Sequence, residues 1–281
     1  MESTEHRLGP EHLAGCLALS KSANWNQNEA DWRLMLGFGR GWGVSTADGS
    51  LAASTLVLPY GTGFAWVAMV LVLPEHRRKG YATQLLRTAL AALKSEGRTP
   101  VLDATPVGHE VYAQEGFRDT WGFKRYALAS SPGVLAPSRE VRSLEKTDWP
   151  EILRLDGQAF GASREFLLRN LAARLPAASL VTERSGALAG FVLGRDGREA
   201  SQVGPLIARD ENAATDLLAA AVARAQTPVY VDIADHAPGL QDWALKRGFA
   251  FQRPLTRMVH GAGYAPGDAA LVFCPAGPEL G

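Results

Sequence analysis

The chain has 281 residues, with 29 Lys+Arg set against 29 Asp+Glu and six histidines besides. That length fits one large domain or two of ordinary size, and 46% hydrophobic with 21% charged residues excludes a mainly disordered chain. The charge balance argues against a general binder of nucleic-acid phosphates, which needs a basic excess. No apolar stretch is long enough to cross roughly 30 Å of hydrocarbon, so neither nucleic acid nor membrane is expected as a partner.

Met1 to Pro10 lacks the apolar run of a signal peptide. The two cysteines, Cys16 and Cys274, are too few for a disulfide framework and have no metal-ligand spacing. A cytoplasmic protein without a metal is the expectation.

In chain order, Glu11 to Ser20 and Glu29 to Leu36 read as short amphipathic helices, and Gly41 to Ser45 and Leu51 to Leu58 as strands. Ala65 to Leu73 (AWVAMVLVL) is a continuous valine-rich run, as a strand covered on both faces requires. Tyr81 to Leu93 is Ala- and Leu-rich and helical. Pro100 to Ala104 reads as a buried strand, the stretch near Glu110 to Gln114 as a short helix, and Phe117 to Ala127 as aromatic-rich strands. Ser130 to Pro137 (SSPGVLAP) interrupts every period and reads as a linker.

The same grammar then returns. Trp149 to Asp156 and Arg164 to Ala173 read as helices, Ser179 to Thr182 and Leu188 to Leu193 as strands, and Ala213 to Ala225 as a longer helix. Val229 to Asp232 is a strand, Leu240 to Lys246 a helix, and Phe249 to Val259 strand-like. A shift of 132 residues places Arg77 on Arg209, Ala82 on Ala214, Leu85 and Leu86 on Leu217 and Leu218, and Gly116-Phe117 on Gly248-Phe249. One shift aligning a helix start and a later Gly-Phe pair indicates two copies of one α/β fold. The expected division is 1–129, a linker at 130–137, and 138–281.

The chemistry concentrates between Val72 and Thr83. A buried strand ends at Pro74, a basic turn follows with Arg77, Arg78 and Lys79, and Gly80 opens the alanine-rich helix that begins Tyr81, Ala82, Thr83. Free N–H groups at such a helix start, with the positive end of the dipole, hold a pyrophosphate. Gly80 admits close backbone approach. The segment lacks the Gly-Lys-Ser/Thr ending of a triphosphatase loop and the three spaced glycines of a dinucleotide fingerprint.

At these residues the sequence resembles the GNAT superfamily of acyl-CoA-dependent N-acyltransferases. Their Arg/Gln-x-x-Gly-x-Gly/Ala signature is met by Arg77, Gly80 and Ala82, with Val72 and Pro74 ahead, and a downstream Tyr-x-x-x-Gly-Phe is met by Tyr112, Gly116 and Phe117. The resemblance is close over Trp66 to Phe117. It implies two tandem GNAT-like modules, each a mixed, mostly antiparallel sheet flanked by helices. It also implies acetyl-CoA as co-substrate, held by the backbone of Val70, Leu71 and Val72 and by Arg77 to Thr83, with Tyr112 as the acid that protonates the departing thiolate.

Under the same shift Arg78 becomes Asp210, Lys79 becomes Glu211, Gly80 becomes Asn212 and Tyr112 becomes Ala244. Two anions at the matching place repel a pyrophosphate. The second copy is therefore expected to be degenerate and to wall the acceptor pocket of the first.

By the same resemblance the early helices border the acceptor. Trp25 offers an apolar or cation–π wall, and Asn26, Gln27 and Asp31 offer hydrogen bonds. Asp103, Glu110, Asp232 and His236 are candidates for deprotonating an amine, and the sequence does not select among them. The expected activity is acetyl transfer to a primary amine of a small molecule, with a protein lysine or N-terminal amine, or a non-catalytic acyl-CoA sensor, as the other readings. Two modules in one chain imitate a dimer, so a monomer or a homodimer is expected.

Overall fold

The computed structural model describes residues 3–130, 140–261 and 264–281. In the first half β1 (Thr4–Leu8), α1 (Leu13–Ser22), α2 (Glu29–Phe38), β2 (Arg40–Ser45), β3 (Leu51–Tyr60) and β4 (Phe64–Val72) lead to α3 (Tyr81–Ser95). Then come β5 (Thr99–Ala104), α4 (Pro106–Gln114) and β6 (Phe117–Leu128). The second half runs β7 (Val141–Ser143), α5 (Trp149–Phe160), α6 (Glu165–Arg174), β8 (Leu180–Arg184), β9 (Ala187–Arg195) and β10 (Ser201–Ala208). It continues with α7 (Glu211–Arg224), β11 (Val229–Ala234), α8 (Pro238–Lys246), β12 (Ala250–His260) and β13 (Val272–Cys274). Of the expected linker, residues 131–137 lie outside the described residues.

Among the described residues thirteen strands form one sheet in the order β1-β2-β3-β4-β5-β12-β6-β11-β10-β9-β8-β7, with β13 against β10. Pairing is antiparallel except at β4·β5 and β10·β11, so the mixed, mostly antiparallel sheet with flanking helices is the observed architecture. The centre of the order departs from sequence order. The long strand β12 of the second half lies between β5 and β6, while β6 lies between β12 and β11. Each half thus lends one long strand to the other. Trp121 faces Arg257 and Arg125 faces Arg253 across this central pair, and the 132-residue shift exchanges one pair for the other, placing a pseudo-twofold axis between β6 and β12.

Helix periodicity accounts for what covers the sheet. In α3, Leu85, Leu86, Ala89 and Leu93 recur on one face and are fully buried, each leucine worth about 1.5–3 kcal/mol of burial. On the opposite face Trp32 and Trp66 of the first half share one apolar core with Phe160, Leu168 and Phe191 of the second. No helix among the described residues is long and apolar enough to cross a membrane.

Several elements differ from the sequence reading. Thr4–Leu8 is an edge strand whose five residues are mostly polar, so it carries no apolar alternation. The short helix near Glu110 starts earlier, at Pro106, capped by Thr105 Oγ1 accepting the Gly108 N–H at 3.3 Å. Phe117–Leu128 is one long strand. β10 escapes periodicity because Gly204 and Pro205 fall in its middle, where the register against β9 shifts.

Candidate active site

β4 and β5 pair only at Phe64↔Thr99, Ala65↔Pro100 and Trp66↔Val101, then diverge. Within β4, Met69 and Val70 together oppose Thr55, with Met69 at φ 52. Such a bulge re-aims side chains and main chain, and it is fixed by Ser54 Oγ donating to the Met69 carbonyl at 2.7 Å. The divergence opens a cleft bordered by Val70, Leu71, Val72, Arg77 and Ala82 on one side and by Asp103, Thr105 and Tyr112 on the other.

At its outer end Arg78 has φ 61 and Gly80 φ 84, and nothing lies within 4 Å of where a Gly80 Cβ would stand. The first helix bond is Gln84 N–H to Gly80 C=O at 2.9 Å, so among the described residues the amides of 78–83 have no protein acceptor. Arg77, Arg78 and Lys79 are exposed around them. Left-handed residues alternating before a helix start make a concave N–H cradle for an anion.

The matching place in the second half is filled by the protein itself. The Asp210 carboxylate caps α7, accepting the Ala213 N–H at 2.9 Å, and Glu211 accepts the Leu240 N–H at 2.8 Å. β10 and β11 also diverge after three pairs, and β13 lies along β10 there, Leu206↔Cys274 and Ile207↔Val272, with Phe273 and Cys274 in the apolar core. What is an open cleft in one half is a filled slot in the other.

From that slot the chain crosses to the first half. Pro278 C=O accepts from Trp66 Nε1 at 2.9 Å and Leu280 C=O from Tyr60 at 2.8 Å. Glu279 is buried with one oxygen on Arg195 Nη2 and the other, Oε2, without a partner among the described residues.

Behind the cleft lies an inner pocket lined by Trp25, Gln27, Met69, Val70, Asp103 and Tyr112 of the first half and by Arg253, Leu255, Pro278 and Glu279 of the second. The two cavities share Trp25, Val70, Asp103, Thr105, Tyr112 and Arg253. Tyr112 therefore stands where they meet. Its ring packs edge-on to Phe117 at 6.0 Å, and burial pushes its hydroxyl up from 10.0 to about 12.

The acidic candidates are differently placed. Asp103 accepts from Arg257 through both oxygens at 2.9 Å, and that guanidinium lies between the Trp66 and Trp121 rings, 4.5 and 4.3 Å from their centroids. Burial raises the Asp103 pKa above the usual carboxylate range, with Arg257 acting against it. Asp232 is bound likewise by Arg125 at 2.8 and 2.6 Å and by Gln202 at 3.2 Å. Neither carboxylate is open to an amine. Glu110 and His236 are exposed, outside the lining of either cavity.

Among the acceptor-side candidates, Trp25 and Gln27 line the inner pocket, and Gln27 Oε1 is buried without a partner among the described residues. Asn26 instead holds the loop before β10, its Oδ1 accepting Glu199 and Ala200 N–H at 2.9 and 3.0 Å and its Nδ2 donating to Ala200 C=O at 2.9 Å. Asp31 accepts from Arg174 at 2.6 Å and Arg195 at 3.3 Å. Both join the halves and line neither cavity. Arg125, Arg253 and Glu279 belong to no motif; only the exchanged strand and the returning tail bring Arg253 and Glu279 to Tyr112. No cluster of three or more His, Cys, Asp or Glu able to hold a metal occurs among the described residues.

Residues 12–117 match the acetyltransferase (GNAT) family and residues 152–274 an acetyltransferase (GNAT) domain. The uncharacterized N-acetyltransferase YitH of Bacillus subtilis (strain 168) is 24% identical over 246 residues, 86% of each chain. Among solved structures, a candidate acetyltransferase from Pyrococcus horikoshii superposes with a TM-score of 0.80 at 18% identity, covering 99% of this chain and 96% of that one. A tandem GNAT protein from the clavulanic acid biosynthesis pathway superposes at 0.62 with 17% identity, covering 92% and 98%. With two GNAT domains spanning most of its length, each with the same splayed parallel strand pair, the chain belongs to the GNAT acyltransferases, in their tandem form.

Proposed function

We propose that the protein moves an acetyl group from acetyl-CoA, held by the first half, to a primary amine of a small molecule, by direct attack in a ternary complex. The meeting of donor cleft and inner pocket at Tyr112 carries this reading. The amides of 78–83 with Arg77, Arg78 and Lys79 hold the pyrophosphate, and the free edge of Val70, Leu71 and Val72 guides the pantetheine arm between β4 and β5. Tyr112 acts as the acid, its hydroxyl donating to sulfur as negative charge develops there. Held up at about 12, it keeps its proton at neutral pH. An inner pocket enclosed between the two halves favours a small amine over a protein side chain.

The second half is degenerate in this reading. Asp210 occupies the anion position and β13 the pantetheine slot, and its contribution is to wall the acceptor pocket. The test is CoA-thiol release across a panel of amines, wild type against Tyr112→Phe. The expected outcome is turnover with at least one small amine and a fall in kcat of about 100-fold in the variant, with acetyl-CoA affinity retained. Tight acetyl-CoA binding with no turnover on any amine would overturn the enzymatic reading in favour of a sensor.

A further inference from the structure

The charged groups lining the inner pocket are unequally engaged. Arg125 is held by Asp232 and Asp103 by Arg257, each through two hydrogen bonds. Two groups are left over. The Arg253 side chain has no ion pair or hydrogen bond among the described residues, and its Nε is buried without a partner. Glu279 keeps Oε2 buried and unpartnered, as Gln27 keeps Oε1.

A partly buried guanidinium without a counter-ion is costly, and so is a buried oxygen without a donor. Burial already lowers the Arg253 pKa, Arg125 across the strand pair adds to that, and Asp232 and Glu279 only partly offset it. A ligand relieves both costs if it brings an anion to Arg253 and an N–H donor to Glu279 and Gln27. The positions give the order. Arg253 and Tyr112 both border the two cavities, whereas Gln27 and Glu279 border the inner pocket only.

We propose that the acceptor is an α-amino acid: its carboxylate meets Arg253 at the mouth of the inner pocket, its α-amine faces the thioester beside Tyr112, and its side chain carries a nitrogen donor inward to Glu279 Oε2 and Gln27 Oε1. An α-amino acid is the class in which amine and carboxylate are one carbon apart, which suits an amine at Tyr112 and a carboxylate at Arg253 where the two cavities meet. Guanidinium and carboxylate match as a two-bond fork. This inference rests on the acetyl-transfer reading above and narrows its acceptor.

The experiment pairs nitrogen-bearing amino acids (lysine, ornithine, glutamine) with the amines obtained by removing their carboxyl groups, and compares kcat/KM for each pair in wild type, Arg253→Gln and Arg253→Lys. Wild type is expected to prefer the amino acid by about 30-fold, the weight of a charge-assisted contact. The preference collapses to within about threefold in Arg253→Gln and is partly kept in Arg253→Lys, which retains the charge. Calorimetric titration of the amino acids into wild type saturated with CoA supplies a readout independent of turnover, and binding is expected only where the carboxylate is present. Amines turned over without regard to the carboxylate overturn this inference and leave acetyl transfer standing. A carboxylate preference that appears on the donor, succinyl-CoA over acetyl-CoA, places the anion on the acyl chain and overturns it as well. No turnover on any amine overturns both readings together.

Discussion

Arg257 grips Asp103 by two parallel hydrogen bonds of 2.9 Å, and the two residues come from opposite halves of the chain. The pseudo-twofold partner of this contact is Arg125 on Asp232, again one residue from each half. Both pairs join cross-strand neighbours, Arg257↔Asp103 on β12·β5 and Arg125↔Asp232 on β6·β11. Each exchanged strand is thus keyed in register by an arginine that finds its carboxylate only in the other half. Breaking such a pair leaves the second charge buried. Asp103→Asn is expected to destabilise the protein by about 3–5 kcal/mol, read as a lowered urea midpoint, and Asp103→Asn with Arg257→Met to cost less than Asp103→Asn alone. A double variant less stable than the single one would show that the pair does not act as a coupled unit.

How much of this was legible in the residues follows from which signals are local. The phosphate loop was readable because strand end, basic turn, Gly80 and helix are contiguous, and the repeat was readable because Gly-Phe and the Ala/Leu helix recur at one spacing. The exchange of β6 and β12 was not, since both orders of a symmetric strand pair present the same alternation to the same faces. Asp103, Asp232, Asn26 and Asp31 looked like site residues for a related reason. A polar side chain at a strand end or helix start has the same local signature whether it meets substrate or, as here, an arginine or main-chain groups of the other half. Arg253 and Glu279 carried no signal at all, because their significance lies in what fails to pair with them.

Burial sets the alkaline behaviour. The Cys16 thiol is pushed up from 9.0 to about 12 and the Tyr112 hydroxyl from 10.0 to about 12. Both folded-state values lie above the unfolded ones, so above pH 9 the unfolded chain loses these protons before the folded one does. Stability from the two groups is complete below pH 9 and is lost as pH rises towards 12, at most about 1.4 kcal/mol per pH unit for each. Urea unfolding of wild type is expected to weaken between pH 9 and 11 more steeply than that of Cys16→Ala; equal slopes would count against the burial argument. The rate should show no falling limb from Tyr112 below about pH 11.

The two helix starts make a controlled comparison. Arg78→Glu with Gly80→Asn puts a negative charge and a Cβ into the cradle before α3, and acetyl-CoA affinity measured by calorimetry is expected to fall at least 10-fold. Asp210→Ala removes the cap of α7 and a partner of Arg184. It should cost about 1 kcal/mol of stability and leave acetyl-CoA affinity within twofold of wild type. Unchanged affinity in the first variant would mean that the cradle is not the phosphate site.

Gly108 tests the position of Tyr112 by a substitution that local helix physics favours. It lies one turn before Tyr112 in α4, and a Cβ placed on it would stand 2.8 Å from Tyr112 Cε2 and 3.3 Å from Cζ. Alanine is favoured over glycine by up to about 1 kcal/mol in a helix interior and by less in the first turn, where Gly108 lies, so Gly108→Ala should hold or slightly raise the urea midpoint. The same methyl group must push the phenol aside, because contacts that short do not persist, and the hydroxyl then leaves the junction of the two cavities. A displacement of about 1 Å in a catalytic group costs up to about 100-fold, so kcat is expected to fall by at least 10-fold while the fold gains or keeps stability. Adding Tyr112→Phe in the same chain should deepen that loss little, since the hydroxyl is already misplaced. If Gly108→Ala turns over as fast as wild type, the hydroxyl does not act from where the structure holds it.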